Sequence, residues 1–66
     1  MKSTIKERMK KLKMTVPELS EKTGIDVFSL YKIRNDLRIP KLKPALKIAK
    51  ALETTVDKLW QLEADD

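Results

Sequence analysis

The stretch TVPELSEKTGIDVFSLYKIRN, residues Thr15 to Asn35, reads as two short helices joined by a sharp turn. Its apolar residues recur at intervals of three and four, and no segment of the chain alternates at period two, so the pattern is helical. Thr15 and Glu18 have the spacing of a capping box, and Pro17 falls in the first turn, where a missing N–H costs little. Gly24 is the only glycine among 66 residues and stands where the first of these helices must end. A left-handed backbone conformation is expected there. Asp26 then caps a helix running to about Asn35, with its carboxylate at the positive end of the helix dipole. At 100° per residue Leu30 and Ile33 mark the inward side of that helix. Phe28, Tyr31, Lys32 and Asn35, at i, i+3, i+4 and i+7, fall on the opposite side.

Three further helices are expected around this pair. The first runs from about Thr4 to Lys13, with Thr4 and Glu7 as a second capping box and Ile5, Met9 and Leu12 as its apolar stripe. Lys6, Arg8, Lys10, Lys11 and Lys13 cover the rest. Leu37 to Leu42 reads as a connector broken by Pro40. Pro44 is expected to open the fourth helix as a first-turn proline, with Ala45, Leu46, Ile48, Ala49 and Leu52 on its buried side. Thr55 is expected to cap a short fifth helix carrying Val56, Leu59, Trp60 and Leu62, and Glu63 to Asp66 to fray. The fold class is therefore all-α, in one domain spanning 1–66.

Composition removes most alternatives. The chain has 15 Lys+Arg, 10 Asp+Glu, no His and no Cys. No disulfide or thiolate metal site can form, and the usual general base and commonest metal ligand are missing. No cofactor, metal or small-molecule ligand is expected. One glycine also excludes glycine-rich phosphate loops. A chain this short buries only about 60% of its unfolded surface, which leaves little room for an enclosed catalytic pocket. No apolar run approaches a membrane span and the start is amphipathic, so an intracellular, cytoplasmic protein is expected.

Charge is unevenly placed. Residues 1–50 hold 14 Lys+Arg and 5 Asp+Glu, net +9, while residues 51–66 hold one Lys and 5 Asp+Glu, net −4. A basic body favours a polyanion, although Lys-rich helices are also simply soluble. Two of the three aromatics, Phe28 and Tyr31, stand on an outward face that the domain's own core does not explain. Base edges in a DNA major groove would cover them: an aromatic ring touches the thymine methyl, and Lys and Asn match guanine and adenine. The alternative is packing against a neighbouring helix or a second subunit.

The stretch Val16 to Asn35 resembles the twenty-residue helix-turn-helix of the Cro and phage-repressor family, also called XRE-type. The resemblance continues through Arg38-Ile39-Pro40, Leu46 to Leu52 and Thr55 to Leu59, covering residues from about 4 to 62. Leu19, Gly24, Ile25, Leu30 and Ile33 match the family's structural positions. The resemblance implies a five-helix, lambda-repressor-like domain of the short Cro-like type. The implied function is a sequence-specific regulator that binds double-stranded DNA, of bacterial or phage origin and acting as a repressor by occluding an operator. Its recognition helix, about 26–35, is expected to enter the major groove.

Carried over residue by residue, the resemblance makes Val27, Phe28, Tyr31 and Lys32 base readers, with Lys32 on guanine and Val27 and Phe28 on thymine methyls. Thr15, Ser29, Arg38, Lys41 and Lys43 are expected to bind phosphate. Asp26 and Asn35 are lesser candidates, Asp26 being accounted for as a cap. For Arg34 and Lys10, a solvated surface cation accounts for each at least as well as DNA contact. Four positions depart from the family: Ser20 stands at a usual Ala, Val16 at a frequent Gln, and Val27 and Phe28 where relatives often carry Gln. The operator therefore cannot be borrowed. Relatives bind as dimers, which makes a homodimer on DNA the expected assembly, with Trp60 either a core residue or a dimer contact. An enzyme is the weakest alternative and RNA binding is disfavoured, since A-form major grooves do not admit a reading helix. The serious rival is an antitoxin or antirepressor-type interaction module on the same fold.

Overall fold

The computed structural model describes residues 2–60. They form five helices: α1 (Ile5–Leu12), α2 (Val16–Thr23), α3 (Val27–Arg34), α4 (Leu42–Ala51) and α5 (Val56–Leu59). The fold is all-α. Each helix contributes to one core, in which Ile5, Leu19, Leu30, Ile48, Leu52 and Leu59 are the most completely buried side chains. No helix among the described residues is long and apolar enough to cross a membrane. The expectations for Leu62 and for Glu63 to Asp66 lie outside the described residues.

The α2–α3 pair forms as its sequence demands. Thr15 accepts from the Glu18 N–H, and the Glu18 side chain accepts from the Thr15 N–H, completing the capping box. Gly24 takes φ 76° and donates its N–H to the Ser20 carbonyl at 2.8 Å. Two hydroxyls close the junction. Ser20 donates to the Ile25 carbonyl, while buried Thr23 donates to the Leu19 carbonyl at 2.8 Å and accepts from the Ile25 N–H at 3.2 Å. Ser20, where the family favours Ala, is thus small enough for close packing and adds a bond that Ala lacks. Asp26 caps α3 by accepting from the Ser29 N–H at 3.0 Å.

Elsewhere the structure corrects local expectations. Thr4 does not cap α1: its hydroxyl donates to the Lys58 carbonyl at 3.0 Å and its N–H to the Leu59 carbonyl at 2.8 Å, so α5 takes both. Thr55 stands before α5 but makes no side-chain cap. The neighbouring Thr55 hydroxyl holds the Asp57 carboxyl below the ordinary carboxylate value. Pro44 does not open α4, which begins two residues earlier at Leu42. As the third helical residue it still lies among the first-turn amides that lack an intrahelical acceptor.

Leu46 is not buried with Ala45, Ile48, Ala49 and Leu52 but is 52% exposed. Those four, at i, i+3, i+4 and i+7, fill the inward arc, and Leu46 joins Leu42 on another face. Trp60 is 8% exposed and belongs to the core cluster.

Left-handed residues end three more helices, without glycine. Lys13, Asp36 and Glu53 have φ 55°, 62° and 57°. Behind each, the next N–H reaches five residues back, from Met14 to Met9, Leu37 to Lys32 and Thr54 to Ala49, the Schellman pattern. Arg8, which the sequence left as surface charge, closes the end of α4 by donating Nε to the Leu52 carbonyl at 2.8 Å and Nη2 to the Glu53 carbonyl at 2.9 Å.

At Gly24 a Cβ would meet nothing within 4 Å, so only backbone conformation opposes a side chain there. Gly24→Ala is expected to cost about 1–2 kcal/mol in denaturant unfolding, the strain of a left-handed residue with a Cβ. A loss near zero would remove the conformational reason for glycine at this turn.

Candidate nucleic-acid interface

Because Leu30 and Ile33 anchor α3 in the core, the opposite arc of the helix is turned to solvent. Phe28 is 81% exposed and Tyr31 42% exposed. Lys32 and Asn35 are exposed beside them, and Asn35 also ends the helix. Val27 differs from its neighbours: it is half-buried and packs against the core, so only part of it reaches the outer face.

The connector after α3 folds back over one flank of the helix. Arg38 donates Nη1 to the Ser29 hydroxyl at 3.3 Å, and that hydroxyl donates to Asp26 Oδ1 at 2.8 Å. Ser29, Arg38 and Lys41 line one depression with Ile25, Ile33, Pro40 and Pro44. Lys41 precedes α4 and Lys43 lies in its first turn, both exposed. Ser29, Arg38 and Lys41 are therefore brought together on one side of α3, with Lys43 following in the chain.

Thr15 lies elsewhere. It shares a separate depression with Lys10, Tyr31 and Arg34, at the meeting of α1, α2 and α3. Its hydroxyl is committed, accepting from the Glu18 N–H and donating to Glu18 Oε1 at 3.1 Å.

Asp26 is charged at neutral pH. The Ser29 N–H, then the Ser29 hydroxyl, hold its carboxyl below the ordinary value, and Arg38 adds in the same direction. The Arg34 guanidinium lies 4.9 Å from the centre of the Tyr31 ring. Only the i, i+3 spacing signals that stacking, and the same spacing also fits two independent surface residues.

A second surface is apolar and has no counterpart among the sequence expectations. Ile39 and Leu42, 64% and 68% exposed, line a groove of about 610 Å³ with Pro40, Ala45, Val56, Asp57 and Trp60. The i, i+4 spacing of Leu42 and Leu46 was the available signal; reading Pro44 as the helix start hid it. Among the described residues no cluster of acidic side chains could hold a metal ion.

A family model for the Cro/C1-type HTH DNA-binding domain matches residues 4–65. No curated protein matches the chain.

The cap on α3 carries a pH signature. Its carboxyl is held low in the folded state, so Asp26 adds stability above the ordinary carboxylate pKa and loses it as pH falls through the folded value. The melting-temperature gap between wild type and Asp26→Ala is therefore expected to be widest near about pH 7 and to close toward about pH 2. A gap independent of pH would exclude the charged cap.

Proposed function

Because the chain belongs to the Cro/C1-type helix-turn-helix family of DNA-binding domains, we propose that it is a sequence-specific transcriptional regulator, a Cro-like repressor acting by operator occlusion. The observation that carries this reading is Phe28, 81% exposed on the one helix whose outer face also holds Tyr31 and Lys32. An aromatic ring left in water in so small a domain has a use when a groove covers it.

In this reading α3 enters the major groove. Phe28 and the exposed part of Val27 meet thymine methyls, Lys32 meets guanine acceptors, and Tyr31 meets a base or flanking phosphate. Asp26 and Asn35 stand at the ends of the same helix, Asp26 chiefly as its cap. Arg38, Lys41 and Lys43 bind phosphate on one flank, where Ser29 braces Arg38, and Thr15 borders the phosphate on the other, setting register without reading sequence. Arg38 is supported in that role by its bond to Ser29, which aims the guanidinium across the start of α3. The proposed activity is binding, with no catalytic step and no cofactor, in a single intracellular, cytoplasmic domain.

The partner in this reading includes a second copy. Ile39 lies between Arg38 and Lys41 in the chain, so the apolar groove it lines with Leu42 and Trp60 adjoins the phosphate-binding loop. A copy seated there rests beside the duplex, with its own α3 available to a half-site about 34 Å away. An eight-residue helix spans only about 12 Å, so doubling it doubles the bases read.

Two experiments test this. Fluorescence anisotropy compares duplex DNA from the gene's upstream region with scrambled duplex at two salt concentrations. Lys32→Ala and Phe28→Ala are each expected to lose about 1–3 kcal/mol and relax sequence preference, whereas Arg38→Ala weakens both duplexes alike and flattens the salt slope by about one. Equal binding of both duplexes by wild type at every salt concentration sinks the specific regulator. Sedimentation with and without DNA reads the dimer, and Leu42→Asp is expected to leave it monomeric. If wild type stays monomeric and Leu42→Asp binds DNA normally, the exposed groove favours the second reading, an antitoxin or antirepressor-type interaction module.

A further inference from the structure

The depression between α1, α2 and α3, of about 410 Å³, is lined by Lys6, Lys10, Thr15, Pro17, Tyr31 and Arg34 among others, with three cations and no carboxylate in its lining. The nearby Glu18 carboxylate is engaged by the Thr15 N–H and hydroxyl. Arg34 is half-buried, stacked at 4.9 Å on the Tyr31 ring, and its Nε is fully buried without a hydrogen-bond partner. A buried donor on a charged group that lacks an acceptor is costly, and an anion entering beside it removes that cost. The guanidinium fork suits phosphate in particular, since it pairs with two oxygens at once.

Position around α3 says which phosphate. At 100° per residue, Ser29 lies about 160° from Tyr31 with Phe28 and Lys32 in the arc between, and Arg34 lies about 60° beyond Tyr31, so Ser29 and Arg34 stand at opposite edges of the outward face. Ser29 is the side that Arg38 and Lys41 share. The outward face of α3 is thus flanked by cations on both sides, as a helix in a groove bounded by two phosphate backbones requires.

We propose that this depression seats a backbone phosphate of duplex DNA, across the groove from the one bound by Arg38, with Arg34 as its principal ligand and Lys6 and Lys10 beside it. The inference rests on the proposed docking of α3 in the major groove and deepens it. Thr15, whose hydroxyl is taken by Glu18, lines the seat without supplying its charge. Tyr31 is also the platform on which Arg34 is held, its ring 4.9 Å from the guanidinium.

Salt dependence on a random-sequence duplex tests the seat without any specific operator, because non-specific affinity is itself phosphate binding. Arg34→Ala is expected to reduce the slope of log affinity against log salt by about one, and Lys10→Ala by a comparable amount. Arg34→Lys restores much of the slope, since it keeps the charge. Methylphosphonate substitution along the upstream duplex adds the geometry. Wild type is expected to be weakened at phosphates on both edges of the groove, with one edge silenced in Arg34→Ala and the other in Arg38→Ala.

If Arg34→Ala lowers the melting temperature yet leaves slope and methylphosphonate pattern as in wild type, its role is packing and the proposal fails. Wild type without preference for the upstream duplex sinks the regulator reading instead, and the random-duplex slopes still decide the seat.

Discussion

The junction between α2 and α3 is the constraint on which the surface of this protein depends. Within six residues the chain must leave one helix, turn, and start another whose inward face reaches the same core as Leu19. Gly24 supplies the left-handed residue, and hydroxyls bind the carbonyls and amide that the turn leaves open: Ser20 to the Ile25 carbonyl, Thr23 to the Leu19 carbonyl and the Ile25 N–H. Polar groups at such a turn are costly if unpaired, so these bonds select one geometry as much as they stabilise it. With the turn fixed, Leu30 and Ile33 must face inward and Phe28 must face out.

Hydrogen bonds of the same economy join the remaining helices. Thr4 ties the start of α1 to α5, and Arg8 ties its middle to the end of α4. Side chains that could have served their own helix or the solvent instead satisfy a neighbour's terminal carbonyls, the groups that every helix end leaves unpaired. In a domain with few large core residues, such ties add to what burial alone supplies. They also leave most lysines free for an external partner, consistent with binding to a polyanion.

The helical pattern, the capping box at Thr15, the cap at Asp26 and the turn at Gly24 were legible because each depends on residues no more than four apart. Misreadings arose where a residue has two possible partners. Thr4 and Thr55 occupy cap positions, but the Thr4 hydroxyl bonds the Lys58 carbonyl and the Thr55 side chain makes no cap, and nothing local ranks those choices. Lys13, Asp36 and Glu53 adopt left-handed conformations without the glycine that would announce them. Pro44 is compatible with any of the first helical positions, so it could not fix where α4 begins.

For the candidate interface the sequence determined which face of α3 carries Phe28, Tyr31, Lys32 and Asn35, because helical periodicity and the two inward aliphatics leave that face no other direction. It also determined that the body is basic and that Asp26 caps the start of α3. Only the tertiary structure decided what meets each edge of that face: Arg38 on Ser29, Arg34 on Tyr31, and a groove of Ile39, Leu42 and Trp60 open beside them. Periodicity gives the direction of a side chain from its own helix axis. What lies in that direction depends on how separate helices are juxtaposed, and that is set by the packing of one small core.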